Sequence, residues 1–92
     1  LYHESTFCED KLERAKQTMH ATAVEAATVA EEAQASHLMI GHFSARYRNL
    51  DQFETEAKSV FQNSLRAREL YSYKVSNKGI TVKNLRVTRD VE

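Results

Sequence analysis

Apolar positions along the chain fall into short periodic runs separated by polar loops, and they predict an α/β domain of order β-α-α-β-α-β-β. Residues 1–3 read as the end of a strand. Over residues 9–19, Leu12, Ala15 and Met19 recur at helical spacing and lay one apolar stripe on an otherwise charged helix. Thr22-Ala23-Val24-Glu25 has the form of a capping box, in which the Thr22 hydroxyl accepts from the Glu25 N–H and the Glu25 carboxylate from the Thr22 N–H. A helix should run from there to about Gln34. Its alanines (Ala23, Ala26, Ala27, Ala30, Ala33) let it lie close to a sheet or another helix. The apolar run His37–Gly41 is too short for a typical helix and reads as a buried strand. Residues 51–61 form the next helix, with Leu50, Phe53, Ala57, Val60 and Phe61 on one side. Asn49 or Asp51 can cap it, and Asn63 can take the left-handed position after it. From Leu70 to Val75 the chain alternates, with Tyr71, Tyr73 and Val75 on one face of a strand. Ser76-Asn77-Lys78-Gly79 is a turn, and Ile80 to Val87 a second strand. Its parity slips between Val82 and Leu85, which predicts a bulge near Asn84. Residues 88–92 are expected to fray.

Composition narrows the picture. Ninety-two residues allow one small domain. The single Cys8 suits a reducing compartment, and the absence of a spanning apolar run or a leader makes a cytoplasmic, membrane-independent protein the expectation. The chain opens on Leu1-Tyr2 without Met, as a strand entered from an element outside the sequence would. Formal net charge is zero, which argues against a strongly basic nucleic-acid module. The charge is unevenly spread. Residues 1–34 carry seven acids and three bases, residues 35–92 ten bases and six acids. The second half could help hold a polyanion, although ordinary solvated surface accounts for the same counts.

Three groups of side chains could carry chemistry. His42 ends the strand His37–Gly41, and strand ends in α/β sheets face the functional crevice. It suits a metal ligand, or a histidine bonded to a nearby carbonyl. Glu4 and His20 are sixteen residues apart with one helix between them. If the fold joins them, the carboxylate fixes the imidazole tautomer and the other ring nitrogen can donate to a leaving oxygen. Otherwise they are unrelated polar loop residues. Ser44, Arg46 and Thr22 could hold a phosphate, Arg46 bidentately and Thr22 beside helix N–H groups. Capping alone also explains Thr22, and a surface ion pair Arg46. His3 and His37 read as structural, and Tyr71 and Tyr73 as sheet packing. The chain has no G-x-S-x-G, no glycine-rich phosphate loop and no C-x-x-C.

These segments resemble the C-terminal part of the ribonuclease Z family, the tRNA 3′-processing endonucleases of the metallo-β-lactamase superfamily. His3-Glu4-Ser5-Thr6-Phe7 looks like the family's H-E-A-T-F loop, with Ser5 for Ala. His20-Ala21-Thr22-Ala23 looks like its H-S-T-A loop, with Ala21 for Ser. Gly41-His42-Phe43-Ser44-Ala45-Arg46-Tyr47 looks like its T-H-F-S-x-R-Y segment. The three occur in the family's order and spacing, and the likeness covers about residues 1–75. It implies the C-terminal half of an αββα sandwich, with residues 76–92 an added hairpin or tail. It further implies that His42 is the last ligand of a two-zinc centre and that His20, oriented by Glu4, is the proton donor. Thr6, Thr22, Ser44 and Arg46 would lie near the scissile phosphate. The reaction implied is hydrolysis of precursor tRNA by a metal-activated water, in an enzyme that is typically a homodimer.

The H-x-H-x-D-H motif that supplies most zinc ligands and the general base in that family does not occur here, nor do its further His ligand and bridging Asp. Zinc sites need three or four protein ligands, so the chain alone is expected to be inactive and to hold no zinc pair. Half a sandwich also leaves an apolar sheet face without its partner, so self-association is expected. Two other parents fit the same residues: a different phosphodiesterase or hydrolase of the metallo-β-lactamase fold, or a non-catalytic interaction module that retains the ancestral loops.

Overall fold

A computed structural model describes residues 1–68, 71–76 and 79–84. The elements follow the expected order with one addition. Strand β1 (Tyr2–Glu4) leads through a single 3-10 turn (Glu9–Lys11) into helix α1 (Leu12–Thr18) and helix α2 (Ala23–Glu32). Strand β2 (Leu38–Gly41), helix α3 (Asp51–Val60) and a short strand β3 (Ser64–Arg66) follow. Strands β4 (Tyr71–Ser76) and β5 (Gly79–Asn84) close the described chain.

β1, β2 and β3 form a parallel sheet in that order, with Tyr2 beside Met39 and Met39 beside Leu65. Strand parity then separates the two faces. Leu38 and Ile40 of β2 are fully buried against α2 and α3, whereas Met39, between them, is only half-buried. On α2 the buried residues are four of the five expected alanines, Ala23, Ala26, Ala27 and Ala30, whereas Ala33 is exposed at the helix C-cap. A stripe of methyl groups lets α2 approach both β2 and α3, where Phe53 and Ala57 are fully buried. The helices thus cover one side of the sheet. On the other side Tyr2 is 59% exposed and lies across Gly41. A β-carbon at Gly41 would stand 3.0 Å from the Tyr2 Cζ, and nearer still to its hydroxyl oxygen.

The capping box forms as expected: Glu25 N–H donates to the Thr22 hydroxyl oxygen at 3.1 Å, and Thr22 N–H to the Glu25 carboxylate at 2.9 Å. Four local expectations need correction. The stripe on α1 stops short, because Met19 turns left-handed at the helix end (φ 60°) and is 92% exposed. α3 starts after Leu50 without a side-chain cap; Asn49 instead accepts from the Asp51 N–H. Asn63 does not take a left-handed turn; its side chain donates to the Ser36 carbonyl and its own carbonyl accepts from the Leu38 N–H. Finally, the β4–β5 register is unbroken from Ser76↔Gly79 to Tyr71↔Asn84, so no bulge interrupts the described ladder. Leu70, the turn residues 77 and 78, the continuation to Val87 and the expected fraying lie outside the described residues.

Candidate functional site

Three loops meet beyond the C-terminal ends of β1 and β2, stitched by backbone bonds. The Ser5 N–H donates to the Gly41 carbonyl, and the Ser44 N–H to the Thr6 carbonyl, so the segment after β1 continues alongside the segment after β2. Phe7 forms a parallel bridge with Thr22: its N–H donates to the Ala21 carbonyl and its carbonyl accepts from the Ala23 N–H. These four backbone hydrogen bonds bring Glu4, His20 and His42 to one place, with a potential ligand atom from each within 4.8 Å of the others.

Glu4 is held from two sides. One carboxylate oxygen accepts the Ala21 N–H at 2.6 Å. The other accepts the Thr6 N–H at 3.1 Å and the Thr6 hydroxyl at 2.8 Å, and lies 3.6 Å from His20 Nδ1. Burial pushes the Glu4 carboxyl up, but the Ala21 N–H, the two Thr6 bonds and the His20 ring together outweigh it and hold the carboxyl below its ordinary value. The group is therefore an ionised carboxylate at neutral pH. Its side chain is 33% exposed and that of His20 37%, so the pair borders solvent. With Nδ1 facing Glu4, the Nε2 of His20 is the nitrogen left for chemistry.

His42 has a left-handed backbone (φ 60°) and is exposed. Its ring stands 5.5 Å from that of His20, and its Nδ1 contacts the Thr6 hydroxyl at 3.0 Å. A non-glycine residue held at positive φ costs on the order of 1–3 kcal/mol, which the surrounding packing must supply. Behind the loop, Phe43 and Tyr47 place their rings 4.6 and 4.8 Å from Phe53 of α3. The Tyr47 hydroxyl accepts from the Cys8 N–H at 3.0 Å and donates to Asp10 at 2.9 Å, tying the loop after β2 to the segment after β1. This clamp was not among the candidate residues, although Tyr47 ends the third family-like segment; packing behind a loop leaves no periodic signal.

The remaining candidates are placed differently from one another. Ser44 is half-buried, and its hydroxyl accepts from the Arg46 N–H; Arg46 is exposed and forms no ion pair among the described residues. Thr22 is fully buried, with its hydroxyl accepting from Glu25 and donating to Glu9 at 2.7 Å. Thr6 is 7% exposed and faces Glu4 and His42. His3 turns away from the cluster, its Nδ1 donating to the Glu4 carbonyl. A groove of about 670 Å³ opens beside His42, between Tyr2, Phe43, Leu50 and Arg66.

The donor set fits one corner of a metal centre. Glu4 has both oxygens engaged in hydrogen bonds, whereas His20 and His42 each turn Nδ1 toward a neighbour and keep the outer nitrogen uncommitted, so the histidines are the side chains able to offer a ligand atom. A structural or catalytic zinc site takes at least three protein ligands.

No protein-family model matches the chain. It is 47% identical over 78 residues to ribonuclease Z of Cytophaga hutchinsonii, covering 85% of this chain and 25% of that protein. With ribonuclease Z of Bacteroides thetaiotaomicron it is 41% identical over all 92 residues, against 27% of that protein's length. The chain thus spans about a quarter of the curated relatives it matches. Among solved structures, the metallo-β-lactamase fold protein YhfI from Bacillus subtilis superposes with a TM-score of 0.64 at 29% identity, over 72% of this chain and 26% of that one. The likeness carried by the three loops is borne out in sequence and in fold: this chain is a segment of the ribonuclease Z family, on the metallo-β-lactamase fold.

Proposed function

We propose that the chain is the C-terminal part of a metal-dependent endoribonuclease that removes the 3′ trailer from precursor tRNA. The observation that carries this is the convergence of Glu4, His20 and His42 from three separate loops. Residues 1–75 would be the nuclease portion and residues 76–92 an extension. The parent would be a cytoplasmic homodimer holding two zinc ions; no helix among the described residues is long and apolar enough to cross a membrane.

Each side chain then has a defined task. Glu4, held ionised, keeps the His20 ring oriented with Nδ1 toward itself. His20 Nε2 donates the proton that the leaving ribose oxygen needs as the phosphodiester breaks. His42 offers one donor to the metal, which when bound would supply charge stabilisation at the phosphate and an activated water. Arg46 and Ser44, at the solvent side of the same loop, bind the phosphate oxygens. Thr22, buried and doubly bonded, keeps its loop in place. Since most metal ligands of the family lie outside these 92 residues, the chain alone is inactive and self-associates through its uncovered sheet face.

The test is cleavage of precursor tRNA by the parent protein carrying this chain. Loss of general-acid catalysis in His20→Ala should lower turnover by about 10²–10⁴-fold, with zinc still bound. Comparison with a small phosphodiester separates a tRNA nuclease from another hydrolase of this fold. Unchanged turnover in both Glu4→Gln and His20→Ala would favour the interaction module and overturn the proposal.

A further inference from the structure

The Thr6 hydroxyl occupies an unusual position. It lies 2.8 Å from a Glu4 carboxylate oxygen and 3.0 Å from His42 Nδ1, in a residue only 7% exposed. A hydroxyl has one proton to give. A carboxylate can only accept, so that proton belongs to Glu4. Directed at His42 instead, it would leave two oxygens facing each other at 2.8 Å without a hydrogen between them. The contact to His42 must then run the other way, with the imidazole as donor.

We infer that Thr6 is a positioning residue that fixes the tautomer of His42: by accepting from Nδ1–H it leaves the Nε2 lone pair bare for a metal ion. The inference rests on the reading of His42 as a metal ligand, and it moves Thr6 away from the phosphate. With its proton committed to Glu4, the hydroxyl has none to donate to a phosphate oxygen. The same oxygen touches the carboxylate that orients His20, so one side chain couples the metal side of the site to the proton-donor side. Glu4, Thr6 and His42 form a short relay, of the kind in which a carboxylate at one remove holds a ligating histidine in the correct tautomer.

The decisive measurement is made without RNA. In the metal-free parent protein, ¹⁵N–¹H correlation of the imidazoles should show His42 carrying its proton on Nδ1. Thr6→Val, which keeps the shape and loses the hydroxyl, should shift His42 toward the Nε2–H form. It should also weaken binding of zinc, titrated against a chelator, by about 10–100-fold, the usual effect of removing such a partner. Thr6→Ser should restore both. An Nε2–H His42 in the wild-type protein overturns the inference, and this reading needs no variant to fold. So does a Thr6→Val protein with wild-type zinc affinity and tautomer. A parent that fails to cut precursor tRNA but shows these shifts would refute the proposed substrate and leave the relay standing.

Discussion

Replacing Tyr47 by Phe isolates a single oxygen atom. The ring that packs edge-on against Phe53 at 4.8 Å and 72° is retained. What is lost is a hydroxyl that accepts from the Cys8 N–H and donates to Asp10. The two losses are unequal. Asp10 is exposed and recovers its bond from water, so that side costs about 0.5 kcal/mol or less. Cys8 is fully buried, and its N–H is left without an acceptor, which costs about 1–3 kcal/mol. Tyr47→Phe should therefore destabilise the parent protein by about 2 kcal/mol in urea unfolding, and Asp10→Ala by much less. Amide exchange at Cys8 should quicken in Tyr47→Phe and stay slow in Asp10→Ala. If Tyr47→Phe falls within about 0.5 kcal/mol of wild type, as an ordinary surface substitution does, the hydroxyl is not what ties the two loops together.

Phe53→Ala should cost about 3–5 kcal/mol, because a fully buried ring that contacts two others is removed, and amide exchange at Ser44 and Tyr47 should quicken with it. Thr22→Val should lower stability by about 1–2 kcal/mol through loss of the cap while leaving turnover near wild type; lost turnover with intact stability would return Thr22 to the phosphate. The fold should also weaken in alkali. Burial first, and then the Glu56, Asp10 and Glu9 carboxylates, push the Cys8 thiol from 9.0 up to about 12. Burial and the Asp10 carboxylate raise the Tyr47 phenol from 10.0 to about 12 against the opposing Cys8 N–H. Both groups are neutral in the fold, so their contribution is complete below pH 9 and is lost as pH rises toward 12. Thermal unfolding across that window reads the loss, and a flat profile would contradict it.

How much of this was legible in the sequence depends on the kind of signal. Features written in neighbouring residues read correctly: the capping box at Thr22, the alanine stripe of α2 and the buried strand before His42. β3 did not. Three residues, Ser64-Leu65-Arg66, carry no period, and their strand exists because β2 offers an unpaired edge beside them. The left-handed turns fell at Met19, Gln34 and His42 and not at Asn63, whose side chain and carbonyl are drawn to the start of β2. Residue spacing alone left open whether Glu4 and His20 meet. The backbone bonds that align their two segments run between Phe7 and Ala21 and Ala23, and no side-chain pattern encodes those. Only the likeness of the three loops to a known family anticipated the meeting.

Gly41 and Tyr2 carry a consequence for descent. Where the family segment has Thr, this chain has Gly, and the Tyr2 ring lies over the vacant β-position. A Thr at 41 would displace that ring, so the two positions share one volume and should have diverged in step. Across the lineage, relatives with Thr at position 41 should carry a smaller residue, or a ring turned aside, at position 2. Glycine should recur where a large aromatic stands opposite. If Tyr at 2 proves as common beside Thr as beside Gly, the pair evolved independently and the close approach in this chain is incidental.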